Sequence, residues 1–249
     1  MSRDKAAIRA RAKEMREQQA RQERRREQLL RFGIGAAVLA AVVVVGIAIQ
    51  AGRSGDDGDS GDSGDLVVVE SSVDVPAARD DGGTGITLGD ESAPVTVDIW
   101  VDFSCPHCRD FEATNGETID ELAASGDAAF VYHPASFMTT ESVTAANAFA
   151  CSVDAGRASS FLRTAYANQD SYTDDDLVAM GEAVGITDAA FAGCVRDNTY
   201  GDWVSGVQDG MGEAGVEATP TIFVNGELRE DLTAATPDDL RAAVEEAAA

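Results

Sequence analysis

The chain has 249 residues, of which 44% are hydrophobic, and its net charge is −25. This length accommodates one sizeable domain with additional segments, and the acidic balance argues against nucleic-acid binding, which favours positive charge. The charge is unevenly distributed. Residues 1–31 contain 11 Lys or Arg and 5 Asp or Glu, a net +6, so residues 32–249 carry −31. We therefore expect the two parts of the chain to meet different surroundings.

The basic arm, residues 1–31, precedes an apolar run from Phe32 to Ile49 that contains no charged residue. Eighteen residues are about enough to cross a bilayer as a helix, so we predict a transmembrane helix over residues 32–51. A buried core helix or a cleaved signal peptide are the alternatives. Arginines are concentrated before the run, and only Arg53 follows it closely. The positive-inside rule then predicts a single-pass signal-anchor in the cell membrane, with a cytoplasmic N-terminus. The arm is interpreted as a topology determinant, although it could instead bind nucleic acid or anionic lipid.

The segment after the apolar run, Ala51 to Asp65, consists mostly of Gly, Asp and Ser. Such a composition has nothing to bury and predicts a flexible tether. Loose sequence continues to about Gly85, so residues 52–85 are expected to form an acidic linker. The folded domain is expected to begin at Ile86, outside the cytoplasm, where disulfides persist.

The next segment, Ala93 to Phe103, is rich in Val and reads as a central strand, and "CPHC" follows it at the start of a helical pattern. Pro106 favours the first helical position, which puts Cys105 at the helix N-terminus. Unpaired N–H groups and the helix dipole there lower the pKa of a thiol, and His107 adds positive charge when protonated. Cys108 is close enough to form a disulfide with Cys105.

The "CPHC" motif is interpreted as a redox pair. A zinc site is one alternative, but the chain has a single Cys-x-x-Cys motif and, outside it, only His133 as a further histidine. A permanent structural disulfide is the other. We predict no metal and no cofactor.

A second motif, "TPTIFVNG", lies about 115 residues after the first, and Asn225-Gly226 within it predicts a hairpin. Pro220 alone could be an ordinary residue before a strand. The two motifs together resemble the thioredoxin superfamily, and "ITLGDESAPVTVDIWVDFSCPHCRDFE" resembles its DsbA-like branch. The resemblance covers about residues 84–249. It implies an α/β thioredoxin-like fold with an inserted helical subdomain, at about residues 141–214.

The resemblance also implies roles for individual residues. Cys105 would be the exposed, attacking thiol and Cys108 the buried, resolving thiol. Pro106 and His107 would set the redox potential. Pro220 would be a cis-proline facing the disulfide, and Thr219 would offer its backbone to a bound peptide.

In one position the sequence departs from the family pattern. Many relatives have a buried acid six residues before the first cysteine, where this chain has Ile99. The neighbouring Asp98 should point to the opposite face of the strand. Asp102 is a candidate for carrying a proton to Cys108, and the alternative is a solvated loop carboxylate.

The remaining two cysteines, Cys151 and Cys194, lie in a helical stretch from Glu141 to Met211. If Cys105 pairs with Cys108, a structural disulfide between Cys151 and Cys194 is the one remaining pairing. Two buried free thiols or a second redox relay are the alternatives. "TPDDLRAAVEEA" predicts a final helix from Thr236 to Ala247, with Thr236 as its cap.

These features predict a membrane-tethered protein thiol–disulfide oxidoreductase that forms disulfides in secreted or envelope proteins. The family implies reoxidation by a quinone-linked membrane partner of the DsbB or VKOR kind. A reductase or isomerase of the same superfamily is the nearest alternative enzyme. A non-catalytic binding module of the envelope is the alternative of another class.

Overall fold

The computed structural model describes residues 66–73, 75–169 and 172–249. Its strands are β1 (Ala77–Arg79), β2 (Ile86–Leu88), β3 (Val95–Asp102), β4 (Ala128–Ala135), β5 (Thr221–Val224) and β6 (Glu227–Leu228). Its helices are α1 (Pro106–Ser125), α2 (Thr140–Asp154), α3 (Ala158–Ala167), α4 (Asp174–Ala183), α5 (Ala189–Arg196), α6 (Gly201–Glu213) and α7 (Pro237–Ala247), with a 3₁₀ helix at Glu230–Ala234. This is a mixed α/β fold with a helical insertion between β4 and β5, as predicted.

The sheet of the described domain has the strand order β1-β2-β4-β3-β5-β6. Its centre is β3, which runs parallel to β4 and antiparallel to β5. The parallel pair requires a crossover connection, and α1 supplies it. Alternate residues of β3 face the main core, including Val97, Ile99 and Val101. Trp100 faces the other side of the sheet, where it packs with Val207 and Met211 of α6. The strand is thus buried on both faces, and its carboxyl end delivers the chain to the "CPHC" motif.

The C-terminal part of the fold follows the sequence prediction closely. β5 and β6 form a hairpin, and its two turn residues, Asn225 and Gly226, have φ angles of 49° and 79°. Two positive φ angles in a two-residue turn match the twist of the flanking strands, which explains the preference for Asn-Gly. Helix α7 is capped by Thr236, whose side chain accepts from the backbone N–H of Asp239.

The sequence analysis placed the start of the folded domain at Ile86, but the domain begins earlier in the chain. Residues 66–73 lie along α3, and residues 77–79 form β1, which pairs with β2. Three alternate backbone N–H groups of the first segment donate to side chains one helical turn apart: Val67 to Asn168 at 2.9 Å, Val69 to Thr164 at 3.0 Å and Ser71 to Ser160 at 3.0 Å. Two residues of extended chain and four residues of helix both advance by about 6 Å, which makes this register possible. The predicted linker is therefore too long at its C-terminal end.

The predicted basic arm, the transmembrane helix over residues 32–51 and the first part of the linker lie outside the described residues. Within residues 66–73, 75–169 and 172–249, none of the helices has the length and apolar character that a membrane span requires.

Candidate active site

The paired cysteines lie where β3 gives way to α1. Cys105 occupies the N-cap of α1 and Pro106 its first helical position, and no side chain caps this helix. Cys108 lies one turn inside and is 1% exposed. Cys105 was expected to be exposed, but only 4% of it is accessible, because the Thr219 carbonyl oxygen lies 3.3 Å from its Sγ and accepts from the thiol. Both thiols are free in this structure.

The two thiols have opposite pKa shifts. The Cys108 thiol donates to the Cys105 sulfur, and this hydrogen bond is the largest cause of a Cys105 pKa lowered to about 5. Burial opposes the shift, while the Thr219 side chain and the backbone N–H groups of Cys108 and His107 add to it. Burial, followed by the same hydrogen bond, raises the pKa of Cys108 far above its usual range. At neutral pH the pair therefore holds a thiolate at Cys105, which no longer donates to the Thr219 carbonyl, and a thiol at Cys108.

The two residues between the cysteines are both exposed. His107 contributes to the low pKa of Cys105 through its backbone N–H. The predicted effect of its ring charge on the redox potential stays a prediction. Pro106 lines an open groove of about 720 Å³ beside the active site, together with Ser104, Thr139 and Gln169.

The loop before β5 closes the site from the other side. The Thr219–Pro220 peptide bond is cis. The Thr219 carbonyl faces Cys105, so the structure brings the two sequence motifs together. The Thr219 hydroxyl oxygen is buried and has no hydrogen-bond partner among the described residues. Because this hydroxyl donates to no other group there, it is available to the Cys105 thiolate, and its donation lowers the pKa of Cys105.

The turn that carries Cys105 is also held by the helical insertion. Gln169 donates from Nε2 to the carbonyl oxygens of Phe103 at 2.7 Å and Cys105 at 2.8 Å. The Tyr172 hydroxyl donates to the Phe103 carbonyl at 3.3 Å. Sequence reasoning missed both residues, because they follow the motif by more than 60 positions and belong to no local pattern.

Asp102 fits neither interpretation made from the sequence, a proton carrier for Cys108 or a solvated loop carboxylate. Its side chain is fully buried, so it is not a solvated loop carboxylate. It accepts hydrogen bonds from four donors: the backbone N–H groups of Ser104, Phe137 and Met138 and the Ser142 hydroxyl, at 2.6 to 3.1 Å. With its oxygens occupied in this way, Asp102 fixes two loops and is a poor proton carrier. Phe137 and Met138, which it holds, are each 45% exposed.

The position six residues before Cys105, where many relatives have a buried acid, is occupied by an apolar side chain. Ile99 is fully buried, and Asp98 points to the other face of the sheet, where its carboxylate lies 3.1 Å from His133 Nε2. On the active-site face the structure has Glu112 of α1, which the sequence analysis did not select. Its Oε2 accepts from the Tyr132 hydroxyl at 3.0 Å, and burial raises the pKa of Glu112 to about 7.

The second pair of cysteines forms a disulfide. Cys151 of α2 and Cys194 of α5 are linked, and 43 positions separate them. This bond joins two helices of the insertion, α2 and α5.

Comparison with known proteins identifies a sequence family and several structures to which the chain is similar. The sequence family described as Thioredoxin matches residues 81–246. Comparison with curated proteins by sequence gave no significant match. Among solved structures, the chain is similar to MdbA, a thiol–disulfide oxidoreductase from Actinomyces oris, with 26% identity, a TM-score of 0.59 and coverage of 66% of this chain and 85% of that one.

Two further structures share the fold. DsbA of Mycobacterium tuberculosis, in its oxidised form, has 22% identity and a TM-score of 0.55, with coverage of 70% of this chain and 93% of that one. BdbD of Bacillus subtilis has 22% identity and a TM-score of 0.56, with coverage of 74% and 99%. The likeness to the MdbA thiol–disulfide oxidoreductase and the free thiol pair are consistent with a protein disulfide oxidoreductase. Because the family match extends over residues 81–246, more than half of the chain, the protein belongs to the thioredoxin family.

Proposed function

We propose that this protein forms disulfide bonds in other proteins through the Cys105–Cys108 pair. One observation carries the proposal: a thiol with a pKa of about 5 lies beside a buried partner thiol and against the Thr219 carbonyl. A substrate thiolate would attack the Cys105–Cys108 disulfide at Cys105. A second substrate thiol would then resolve the mixed disulfide, leaving an oxidised substrate and a reduced enzyme.

The pKa of Cys105 favours oxidation over reduction. At pH 7 a pKa of about 5 stabilises the reduced enzyme by about 2.7 kcal/mol relative to an unperturbed thiol. For a two-electron couple this makes the disulfide more oxidising by roughly 60 mV. The figure is an upper bound, because solvent that reaches the sulfur screens the hydrogen bonds. We therefore expect a potential less negative than that of thioredoxin, which is about −270 mV.

A refolding assay tests this proposal. The oxidised protein is mixed with a reduced, unfolded reporter enzyme whose activity depends on disulfides, and the activity is followed with time. Wild type should restore activity and Cys105→Ser should not. A potential close to that of thioredoxin, together with failure in this assay, would favour a reductase. Restored activity of a reporter with scrambled disulfides, without restored activity of the reduced reporter, would favour an isomerase. A binding module would keep its function in the Cys105→Ser variant.

We further propose that the catalytic domain is extracytoplasmic and is anchored to the cell membrane. The uncharged run from Phe32 to Ile49 and the arginines before it support this topology. The Cys151–Cys194 disulfide suits an oxidising compartment. Protease added to cells with an accessible envelope should remove the domain and leave a membrane-bound fragment. Protection of the domain under those conditions would contradict the topology.

Catalytic turnover then requires an electron acceptor for the reduced pair. We propose a quinone-linked membrane protein of the DsbB or VKOR kind, because a membrane tether would keep the domain close to it. Deleting the candidate partner should cause the Cys105–Cys108 pair to accumulate as dithiol in cells, measured by thiol trapping. An unchanged redox state in that strain would contradict the assignment of that partner.

A further inference from the structure

The buried thiol of Cys108 has to gain and lose a proton in every cycle. It leaves as a thiolate when substrate attacks Cys105, and it must be deprotonated again before it can attack. Its side chain is 1% exposed, so bulk water has little access to it. Three residues near the pair do not serve this purpose. Ile99 is apolar, Asp102 is occupied by four donors, and His107 is exposed at the surface. A proton carrier inside the domain is therefore needed.

Glu112 lies in a suitable position. It follows Cys108 by four residues in α1, so the two side chains share one face of the helix, with Cβ atoms about 5–6 Å apart. Tyr132 holds its carboxyl group from β4, and Tyr132 is the register partner of Ile99 in β3. Ile99 provides no carboxyl group on this side of the sheet, and Glu112 provides one from the helix.

The surroundings of Glu112 contain both signs of charge. Tyr132 donates a hydrogen bond and lowers its pKa, the nearby Asp120 raises it, and Arg163 lowers it. Asp120 and Arg163 are themselves paired at 2.8 Å. Burial outweighs all of these, so the carboxyl group changes its protonation state near neutral pH, with a pKa of about 7. A group that exchanges protons efficiently at physiological pH needs a pKa in this range.

A small cavity of about 180 Å³ adjoins the carboxyl group. Glu112, Arg109, Arg163 and Tyr166 line it. Tyr166 is also within electrostatic reach of Cys108. The cavity has room for water molecules, each of which occupies about 30 Å³. It therefore gives the Glu112 carboxyl group a place at which to exchange its proton with water.

We propose that Glu112 is the proton carrier for Cys108. In the resolving step, the Cys108 thiol gives its proton to the Glu112 carboxylate while its sulfur attacks Sγ of Cys105. The Cys105–Cys108 bond forms, the bond between Cys105 and the partner sulfur breaks, and that sulfur leaves as a thiolate. When substrate attacks the disulfide, the same steps run in reverse, and protonated Glu112 returns the proton to the departing Cys108 thiolate.

A two-phase thiol titration tests this inference. Reduced protein is mixed rapidly with dithiobisnitrobenzoate, an aromatic disulfide that releases a coloured thiolate. The first release reports attack by Cys105, and the second reports attack by Cys108 on the mixed disulfide. The inference rests on the proposed exchange chemistry of this pair, and the first phase tests that chemistry separately.

In wild type the rate of the second phase should rise with pH through about 7, because Glu112 must be ionised to accept the proton. In Glu112→Gln it should be about 10²-fold slower and lose this inflection, while the first phase stays unchanged. Glu117→Gln is the matched control, since Glu117 is an exposed glutamate on the same helix. It should behave as wild type. The assignment would be overturned if the second phase of Glu112→Gln were as fast as that of Glu117→Gln. It would also be overturned if Glu112→Gln slowed both phases equally.

A second variant keeps the inference falsifiable if Glu112→Gln does not fold. Tyr132→Phe retains the buried ring and removes the hydroxyl that donates to Glu112. Loss of that donor should raise the Glu112 pKa, and the inflection of the second phase should move up by about one pH unit. An inflection that stays in place would mean that another group accepts the proton.

Discussion

Replacing Cys108 by alanine should raise the pKa of Cys105 more than any other single change at the site. The Cys108 thiol is the largest cause of the low Cys105 pKa, ahead of Thr219 and the backbone N–H groups. In the variant the Cys105 thiolate keeps its place at the start of α1 and loses its principal donor. Because Cys151 and Cys194 are joined in a disulfide, Cys105 then becomes the single free thiol of the chain.

The size of the effect follows from the type of hydrogen bond that is lost. A hydrogen bond to a charged group contributes about 1.5–3 kcal/mol, and each pKa unit corresponds to about 1.4 kcal/mol. The pKa of Cys105 should therefore rise from about 5 to about 6–7 in Cys108→Ala. Cys108→Ser retains a hydroxyl that can donate, so its effect should be smaller. Thr219→Val removes a weaker donor and should also raise the pKa by less than Cys108→Ala does.

Alkylation rates measured as a function of pH give these midpoints directly, because the thiolate is the reactive form. The oxidised Cys151–Cys194 bond has to be verified in each sample, so that one thiol is counted. A midpoint that stays at about 5 in Cys108→Ala would refute the reasoning. The helix N-terminus and the backbone N–H groups would then account for the shift, and the buried thiol would have no part in it.

Three further predictions concern stability, measured by denaturant unfolding. Gly116→Ala should destabilise the protein, because a Cβ at this position would come within 2.8 Å of Glu112 Oε1. Gly206→Ala should stabilise the protein by about 0.5–1 kcal/mol, because a Cβ at that position would meet no atom within 4 Å. Equal effects at the two sites would contradict the packing argument. The raised pKa of Glu112 means that the folded state binds the extra proton, so unfolding free energy should fall by about 3 kcal/mol as pH rises from 4.5 through 7. In Glu112→Gln this fall in unfolding free energy should be absent. A variant with the same pH dependence of stability as wild type would contradict the prediction. Replacing Cys151 and Cys194 by alanine opens a link across 43 positions and should cost roughly 4 kcal/mol; an unchanged midpoint would contradict this.

The active-site motif was predictable because its chemistry is local. A strand, a proline at the first helical position and two cysteines three apart are all read within eleven residues. The placement of Cys105 at the N-cap of α1 follows from them. The position of Pro220 opposite the thiols required the family resemblance, since no local signal connects residues 105 and 220.

Glu112 and Asp102 could not be assigned from the sequence, because burial of a carboxylate is decided by distant partners. "RDFEATNGE" contains several polar residues, and nothing in it distinguishes the buried Glu112 from the exposed Glu117. The distinction comes from Tyr132, twenty positions further on. Asp102 is likewise buried by donors that lie up to 40 positions away, including Ser142.

The start of the domain was misplaced for a related reason. Residues 66–73 contain a short apolar run, "LVVV", without the turn and pairing signals of a sheet strand. Their backbone groups are satisfied by Ser160, Thr164 and Asn168 of a helix region rather than by a neighbouring strand. Periodicity within the segment cannot reveal such a partner, because the complementary pattern lies about a hundred residues away.

The two thiols and the buried carboxyl group together suggest how the order of events is enforced. While Cys105 is a thiolate, its negative charge and the hydrogen bond it accepts both raise the pKa of Cys108, so the second thiol stays protonated. Once Cys105 is tied up in a mixed disulfide, both of these contributions disappear. Burial alone then opposes ionisation of Cys108, and a base inside the domain becomes sufficient to deprotonate it. The first attack thus removes the obstacle to the second, and Glu112, with a pKa of about 7, is ionised often enough at neutral pH to complete it.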